Sequence, residues 1–223
     1  MSLDVTETKA TCDNCLRARD RRFSFTYKKE LKCCTFHPYL TNYAIGALLE
    51  QDGIQQQSTG AHQGISKNQG IQKIRNKIAE REFAFPIGMM APFDYQYAFL
   101  TKSDDQFGND ENLLCPYYNR GQNRCDIWMF RGVVCTSFFS DYLSYVEMAL
   151  AEECLVQMGF SPRDISDQLE FLNKREFEAE ETEQKQISPA IDKSLWIGYD
   201  DKISFYKKCF AIVKNLSNIL FLQ

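Results

Sequence analysis

Cys115-Pro-Tyr-Tyr-Asn-Arg-Gly-Gln-Asn-Arg-Cys125-Asp-Ile-Trp128-Met-Phe-Arg131-Gly-Val-Val-Cys135 carries three cysteines, each separated from the next by nine residues, on a segment rich in aromatics and arginines. Upstream stand Cys12-Asp-Asn-Cys15 and the adjacent pair Cys33-Cys34. These seven thiols exceed what ordinary packing asks for, and they predict a fold organised around a metal centre. The expected ligands are Cys12, Cys15, Cys33, Cys34, Cys115, Cys125 and Cys135.

Composition supports that expectation. The chain has 223 residues, enough to bury a real core, and 25% charged residues, as in ordinary globular proteins. Its nine cysteines are an odd number, which complete disulfide pairing does not fit. The first residues lack an apolar run and a small-residue cleavage site, so no secretory signal is expected. No stretch reaches the roughly 18 apolar residues of a membrane helix. A cytoplasmic location follows, where thiols stay reduced and serve metals or redox chemistry.

Charge is unevenly spread. The net charge of −4 argues against nucleic acid as a partner, because such binding needs a basic face. Residues 16–32 nevertheless hold seven Lys/Arg against two Asp/Glu, and residues 147–183 hold eleven acids against three bases. Solvated faces are the ordinary reading of both runs. The sharper one is an intramolecular or partner contact. The basic, aromatic 17–32 arm reads as a hairpin arm whose aromatics pack on the core, its sharper reading being a touch on nucleic acid, and the partner expected is another protein or peptide.

Cys12-x2-Cys15 has the spacing at which one metal ion takes two thiolates from a tight turn. The polar residues before it do not make the strand that a thioredoxin-like pair requires. Phe23, Phe25 and Tyr27 alternate as in a short strand. His37 lies three residues beyond Cys34 and suits either of two roles, a metal ligand or a hydrogen-bonded structural histidine. Four cysteines complete a tetrahedral zinc site or a [4Fe–4S] cluster. Zinc sites favour two close pairs, and only the first pair fits. The nine-residue intervals better suit a cluster enclosed by several segments and shielded by Tyr117, Tyr118, Trp128 and Phe130. An iron–sulfur centre is therefore the favoured cofactor and structural zinc the alternative. Arg131 is a candidate to donate to the thiolates, with a surface salt bridge as the competing role, and Trp128 is a candidate to cover the centre.

The arrangement resembles the YkgJ-like cysteine-cluster family, described as zinc- or iron-chelating proteins. Cys125-Asp-Ile127-Trp128-Met-Phe-Arg131-Gly132-Val-Val-Cys135-Thr136 follows that family's Cys-x-Ile-Tyr-x-x-Arg-Pro-x-x-Cys-Arg. Trp128 replaces the tyrosine, Gly132 the proline and Thr136 the second arginine. The likeness covers residues 12–139, with seventeen residues between Cys15 and Cys33 where the family has about two. It implies metal chelation by the cysteines and says little of a reaction.

No phosphate-binding loop, dinucleotide fingerprint, radical-SAM triad or HExxH motif is present, so whether the chain is an enzyme stays open. Two function classes remain. One is a metalloprotein for electron transfer or protein modification, and the other is a zinc-stapled interaction module without catalysis.

The expected fold is mainly α, with five helices around an irregular cysteine-rich core and little β. Helices are expected at Thr41–Glu50, with Thr41 as cap, and at Lys67–Glu82, with Ile71, Ile74 and Ile78 inward. A third should bury Leu143, Val146, Leu150, Cys154 and Met158 and end at Gly159. A fourth should start at Ser161 and run to Ala179, and the last should start near Asp200 with Phe205, Cys209, Ile212 and Leu216 inward. Gln51–Gly64 reads as a polar connection. Phe83–Phe107 reads as irregular, with a short strand at Tyr95–Thr101. Cys154 and Cys209 sit on apolar stripes and read as core residues. Residues 1–140 form the cysteine-cluster region, and 141–223 a helical region packed on it within one domain.

Overall fold

The computed structural model describes Lys28, Leu31, residues 34–58, 69–102, 108–137, 141–174, Glu176, Glu178 and residues 183–220. The fold is mainly α, as expected, with eight α-helices among the described residues rather than five. The expected strand at 23–27, His62, Cys12, Cys15 and Cys33 lie outside the described residues.

Helix α1 spans Asn42–Ser58 and follows the two-residue strand β1, Leu40–Thr41. It starts directly after Thr41, the expected cap, although the buried Thr41 hydroxyl has no hydrogen-bond partner among the described residues, and it continues past Gly53 through half of the expected polar connection. Its inner face holds Ile45, Leu48 and Leu49, all buried. Helix α2, Gln69–Ala79, buries Ile71, Ile74 and Ile78 at the predicted spacing. Next come β2, Ala84–Phe85, and β3, Gly88–Met89, joined across Pro86 and Ile87. With β1 they form a small antiparallel sheet in the order β1-β3-β2, in which Met89 faces Leu40 on one side and Ala84 on the other. All six strand residues are buried, so this stub is part of the core.

Residues Phe93–Thr101 form helix α3, not the strand expected at Tyr95–Thr101. The alternation Phe93, Tyr95, Tyr97, Phe99 imitates a two-residue period. The helix instead stacks Tyr95 on Phe99, one turn apart and 6.4 Å between ring centres, and turns Tyr97 to solvent at 52% exposure. Helix α4 is the short Val133–Ser137, and α5 spans Asp141–Gln157. The phase of α5 also corrects the expectation. Leu143 and Val146 are exposed, whereas Ala151, Cys154 and Leu155 are buried, with Met148 and Met158 packed beside them. Cys154 and Met158 hold to the expected stripe, and the core face is centred about a quarter turn away from Leu143, on Met148, Ala151 and Leu155. Gly159, at φ 88°, ends it as predicted.

Helix α6 spans Pro162–Asn173 and stops short of the expected Ala179. Its start is a capping box. Ser161 Oγ accepts from Asp164 N, and the Asp164 carboxylate accepts from Ser161 N at 2.8 Å. Replacing Ser161 with alanine is expected to cost about 1 kcal/mol, read as a lower urea midpoint. An unchanged midpoint would show that the box is redundant with the packing of Ile165.

Helix α7, Pro189–Trp196, was not expected, although Ser188-Pro189 repeats the Ser161-Pro162 start and Ser188 Oγ accepts from Ile191 N. Helix α8 spans Lys202–Leu220, with Asp201 accepting from Ser204 N at its start. Phe205 and Cys209 are buried as predicted, and Ile212 packs at their side.

The last helix lies along the first, the most extensive helix pairing in the described fold. Gly46 is the notch that permits it. A Cβ built on Gly46 would stand 2.7 Å from the Tyr206 carbonyl carbon and 2.9 Å from Phe210 Cβ. Helix α8 is also tied to the sheet, since Tyr206 Oη donates to the Phe85 carbonyl at 2.7 Å. Tyr206 and Phe205 then pack edge-on against Trp196. Cys154 and Cys209 meet in this core, the Cys154 thiol donating to the Cys209 carbonyl at 3.5 Å.

Candidate metal centre

The segment around Cys34 is docked on the segment before Cys115 by two backbone bonds and one to a side chain. Lys28 N donates to Gly108 O at 2.9 Å, Gly108 N to Thr35 Oγ1 at 2.9 Å, and Cys115 N to Cys34 O at 2.6 Å. The last bond makes neighbours of two cysteines from the two halves of the pattern. Beyond Cys115 the chain turns at once, with Tyr118 N donating to Cys115 O at 3.1 Å. A hairpin follows, β4 at Tyr118–Asn119 and β5 at Arg124–Cys125, and its register sets Cys125 opposite Tyr118. This two-residue pairing is why the nine-residue interval does not spread the thiols apart. It returns Cys125 to the neighbourhood of Cys115. A single 3-10 turn at Trp128–Phe130 then leads to α4, where Cys135 N closes on Gly132 O at 3.0 Å.

Burial is graded. Cys115 is buried, and Cys34, Cys125 and Cys135 are half-buried. The Cys115 thiol is pushed well above its ordinary pKa, first by burial and then by the negative charges that Cys125 and Cys135 would carry. The Tyr117 backbone amide and Lys73 oppose that rise. Three of the predicted thiols thus share one electrostatic neighbourhood. Among the described residues, no three His, Cys, Asp or Glu side chains stand together as a metal-binding group.

Two lysines that the sequence reading passed over flank Cys115. Lys73 Nζ donates to the carbonyl of Pro116, the next residue. Lys77, one turn further along α2, is only 5% exposed and pairs with Glu82 at 2.7 Å. Burial lowers its pKa, while the charges of Glu82, Asp94 and Cys115 hold it up. The signal was legible, because Lys77 falls on the inward face of α2 between Ile74 and Ile78. A lysine there needs a buried acid.

Arg131, expected to donate to thiolates or to make a surface salt bridge, stacks its guanidinium on Trp128, 3.3 Å from the ring centre. Its buried Nε meets no acceptor among the described residues. Trp128 therefore serves as the platform for Arg131. Gly132, standing where the family pattern has proline, has a local cause. A Cβ there would lie 2.8 Å from the Tyr39 carbonyl oxygen.

His37 is buried, with its ring edge-on to Tyr95 and Tyr117 at 5.5 and 5.7 Å. Nδ1 lies 3.0 Å from the Pro38 carbonyl, which only accepts, so Nδ1 carries the proton. Nε2 is then a bare lone pair, buried and without a hydrogen-bond partner among the described residues. Burial, assisted by the Lys77 charge, pulls the His37 pKa down to about 3, so the ring is neutral. Neutrality and an anchored Nδ1–H are what a ligating imidazole needs. They equally describe a histidine whose Nε2 waits for a hydrogen-bond donor.

In comparisons with known proteins, no family model, no curated protein and no solved structure matches this chain.

Proposed function

We propose that the chain is a metal-binding protein holding an iron–sulfur centre, with [4Fe–4S] favoured. Cys34, Cys115, Cys125 and Cys135 are its described donors, and Cys12, Cys15 and Cys33 are further thiols from the same sequence pattern. The observation that carries the reading is the Cys115 N–H bond to the Cys34 carbonyl, which closes the split between the two halves of that pattern. The donor chemistry suits the group. A buried thiol whose ionisation is opposed by two others becomes a stable thiolate when a cation joins the set, and Lys73 and Lys77 add positive charge on one side. Because the described thiols alone do not make a metal-binding group, the reading requires ligands from the Cys12–Cys33 region.

When bound, such a centre supplies one-electron chemistry. The chain's own part is to bury Cys115, to enclose it with Tyr117 and the β4–β5 hairpin, and to set its charge balance. The role inferred is electron transfer or modification of another protein. Among the described residues no helix is long and apolar enough to cross a membrane. A reducing cytoplasmic setting is part of the same proposal, because clustered thiols then stay available for metal.

The test is the metal content of full-length protein purified without oxygen. The reading expects a brown protein with about four irons and four sulfides per chain that bleaches on reduction. Cys115→Ser should lose the iron, and Cys154→Ala, altered in the helical core, should keep it. A colourless preparation with stoichiometric zinc would replace the iron–sulfur centre by the structural zinc alternative. Iron retained in full by Cys115→Ser would remove Cys115 from the site.

A further inference from the structure

We propose that the cleft walled by α3, α5 and the segment before β1 is a binding site for a small organic amine on an apolar or aromatic body. The cleft measures about 380 Å³ and is lined by Phe36, His37, Tyr39, Tyr95, Phe99 and Glu147, among others. That size is in the range of small-molecule sites, and the wall is largely aromatic, as such sites are.

The class of ligand follows from where the wall spends its hydrogens. Tyr39 Oη donates to the Ile87 carbonyl at 2.7 Å, Tyr95 Oη to the Leu113 carbonyl at 2.6 Å, and Gln96 Nε2 to the Ala91 carbonyl at 2.7 Å. His37 gives its one N–H to Pro38 and keeps a lone pair without a partner among the described residues. Glu147 receives the Val133 N–H at 3.1 Å on one oxygen. Tyr39, Tyr95, His37 and Glu147 are therefore left with acceptor capacity and no hydrogen to offer, whereas Gln96 keeps the second hydrogen of its amide. Thr41, Ser144 and Asn173 complete the polar lining.

Charge points the same way. No lysine or arginine lines the cleft among the described residues, and Glu147 is its one ionisable acid. That carboxyl is half-buried and its pKa is raised by desolvation, a cost that an entering ammonium group would offset. The aromatic wall also accepts a cation already, since Lys102 Nζ sits 4.4 Å from the Phe99 ring centre. An anionic ligand would meet ring faces, the Glu147 carboxylate and only the neutral donors of Thr41, Gln96, Ser144 and Asn173, with no cationic side chain in the described lining to hold it. An amine meets partners for each N–H.

The inference stands apart from the metal reading, because none of its contacts involves a thiol. The probe is 2-phenylethylamine, compared with 3-phenylpropanoate on the full-length protein by saturation-transfer NMR. The amine is expected to bind with a Kd of roughly 1 mM or tighter, in keeping with a ligand of its size, and the carboxylate is expected not to bind. Glu147→Gln should weaken the amine about tenfold by removing one charge-assisted hydrogen bond. Its amide oxygen still serves Val133 N–H, so the folded signature in circular dichroism should persist. Leu100→Trp, at the half-exposed rim, should block the cleft and abolish the amine signal. Equal binding of the carboxylate, no binding of the amine, or amine affinity unchanged in both variants would each overturn the proposal.

Discussion

Lowering the pH from 6.5 to about 3 is expected to strip about 4 kcal/mol of stability through His37 alone. In the unfolded chain the imidazole takes up its proton near pH 6.5. In the folded chain burial and the nearby Lys77 charge delay that uptake until about pH 3. Between those values the unfolded state binds the extra proton, so stability is fully present above the unfolded pKa and declines as pH falls. The measurement is urea unfolding at several pH values for the wild type and for His37→Gln. The gap in stability between them should narrow steadily below pH 6.5. The chain's other histidine, His62, is common to both proteins and cancels in the comparison. Parallel pH profiles would mean that His37 is accessible to protons in the folded state.

The second large effect concerns Gly46. In an exposed helix interior, glycine to alanine stabilises by roughly 1 kcal/mol. At Gly46 the added methyl would run into the backbone of Tyr206 and the Cβ of Phe210, neither of which is the flexible end of a side chain. Overpacking of this kind costs roughly 1–3 kcal/mol and can cost more. The steric term should win, with a net loss of about 2 kcal/mol and a Tm lower by about 4–8 °C for a chain of this size. Gly46→Val should be worse on both counts, since it adds bulk and a β-branch. Gly121→Ala is the control, because its Cβ would find only the Asn119 side chain at 3.5 Å. If Gly46→Ala melts at or above the wild-type temperature, the helices have room to part and the notch has no structural role.

The sequence made the helices most legible where one face alone is apolar or where a cap is spelled out. Ile71, Ile74 and Ile78 have no rival face on α2, and Ser161-Pro-Arg-Asp164 states its own start. The phase of α5 was lost because Leu143 and Val146 compete with Met148, Ala151 and Leu155, and only the neighbouring helices decide between the two faces. In α3 the aromatics recur at every second residue, so a helix resembled a strand until Tyr95 and Phe99 stacked across one turn. The candidate centre divides in the same way. Spacing alone suggested one group of Cys115, Cys125 and Cys135, and the hairpin register accounts for the return of Cys125 toward Cys115. Spacing could not show that Arg131 has a ring to lie on, because Trp128 is its neighbour in space through a 3-10 turn. Nor could it show that Lys73 and Lys77 supply the positive charge beside Cys115, since α2 is remote from it in sequence.

The pairing of α1 with α8 fixes an order of events during synthesis. Gly46 leaves the ribosome about 160 residues before Tyr206, so the groove on α1 has no occupant while the intervening chain is made. Ile45, Leu48 and Leu49 belong to that early segment and reach the closed core only when α8 arrives. Closure by so distant a partner carries a large loop-closure penalty and sets a slow final step. A nascent chain paused before residue 202 would display an apolar surface that a chaperone can hold. The yield of this protein in cells should therefore depend on how quickly translation passes through α8.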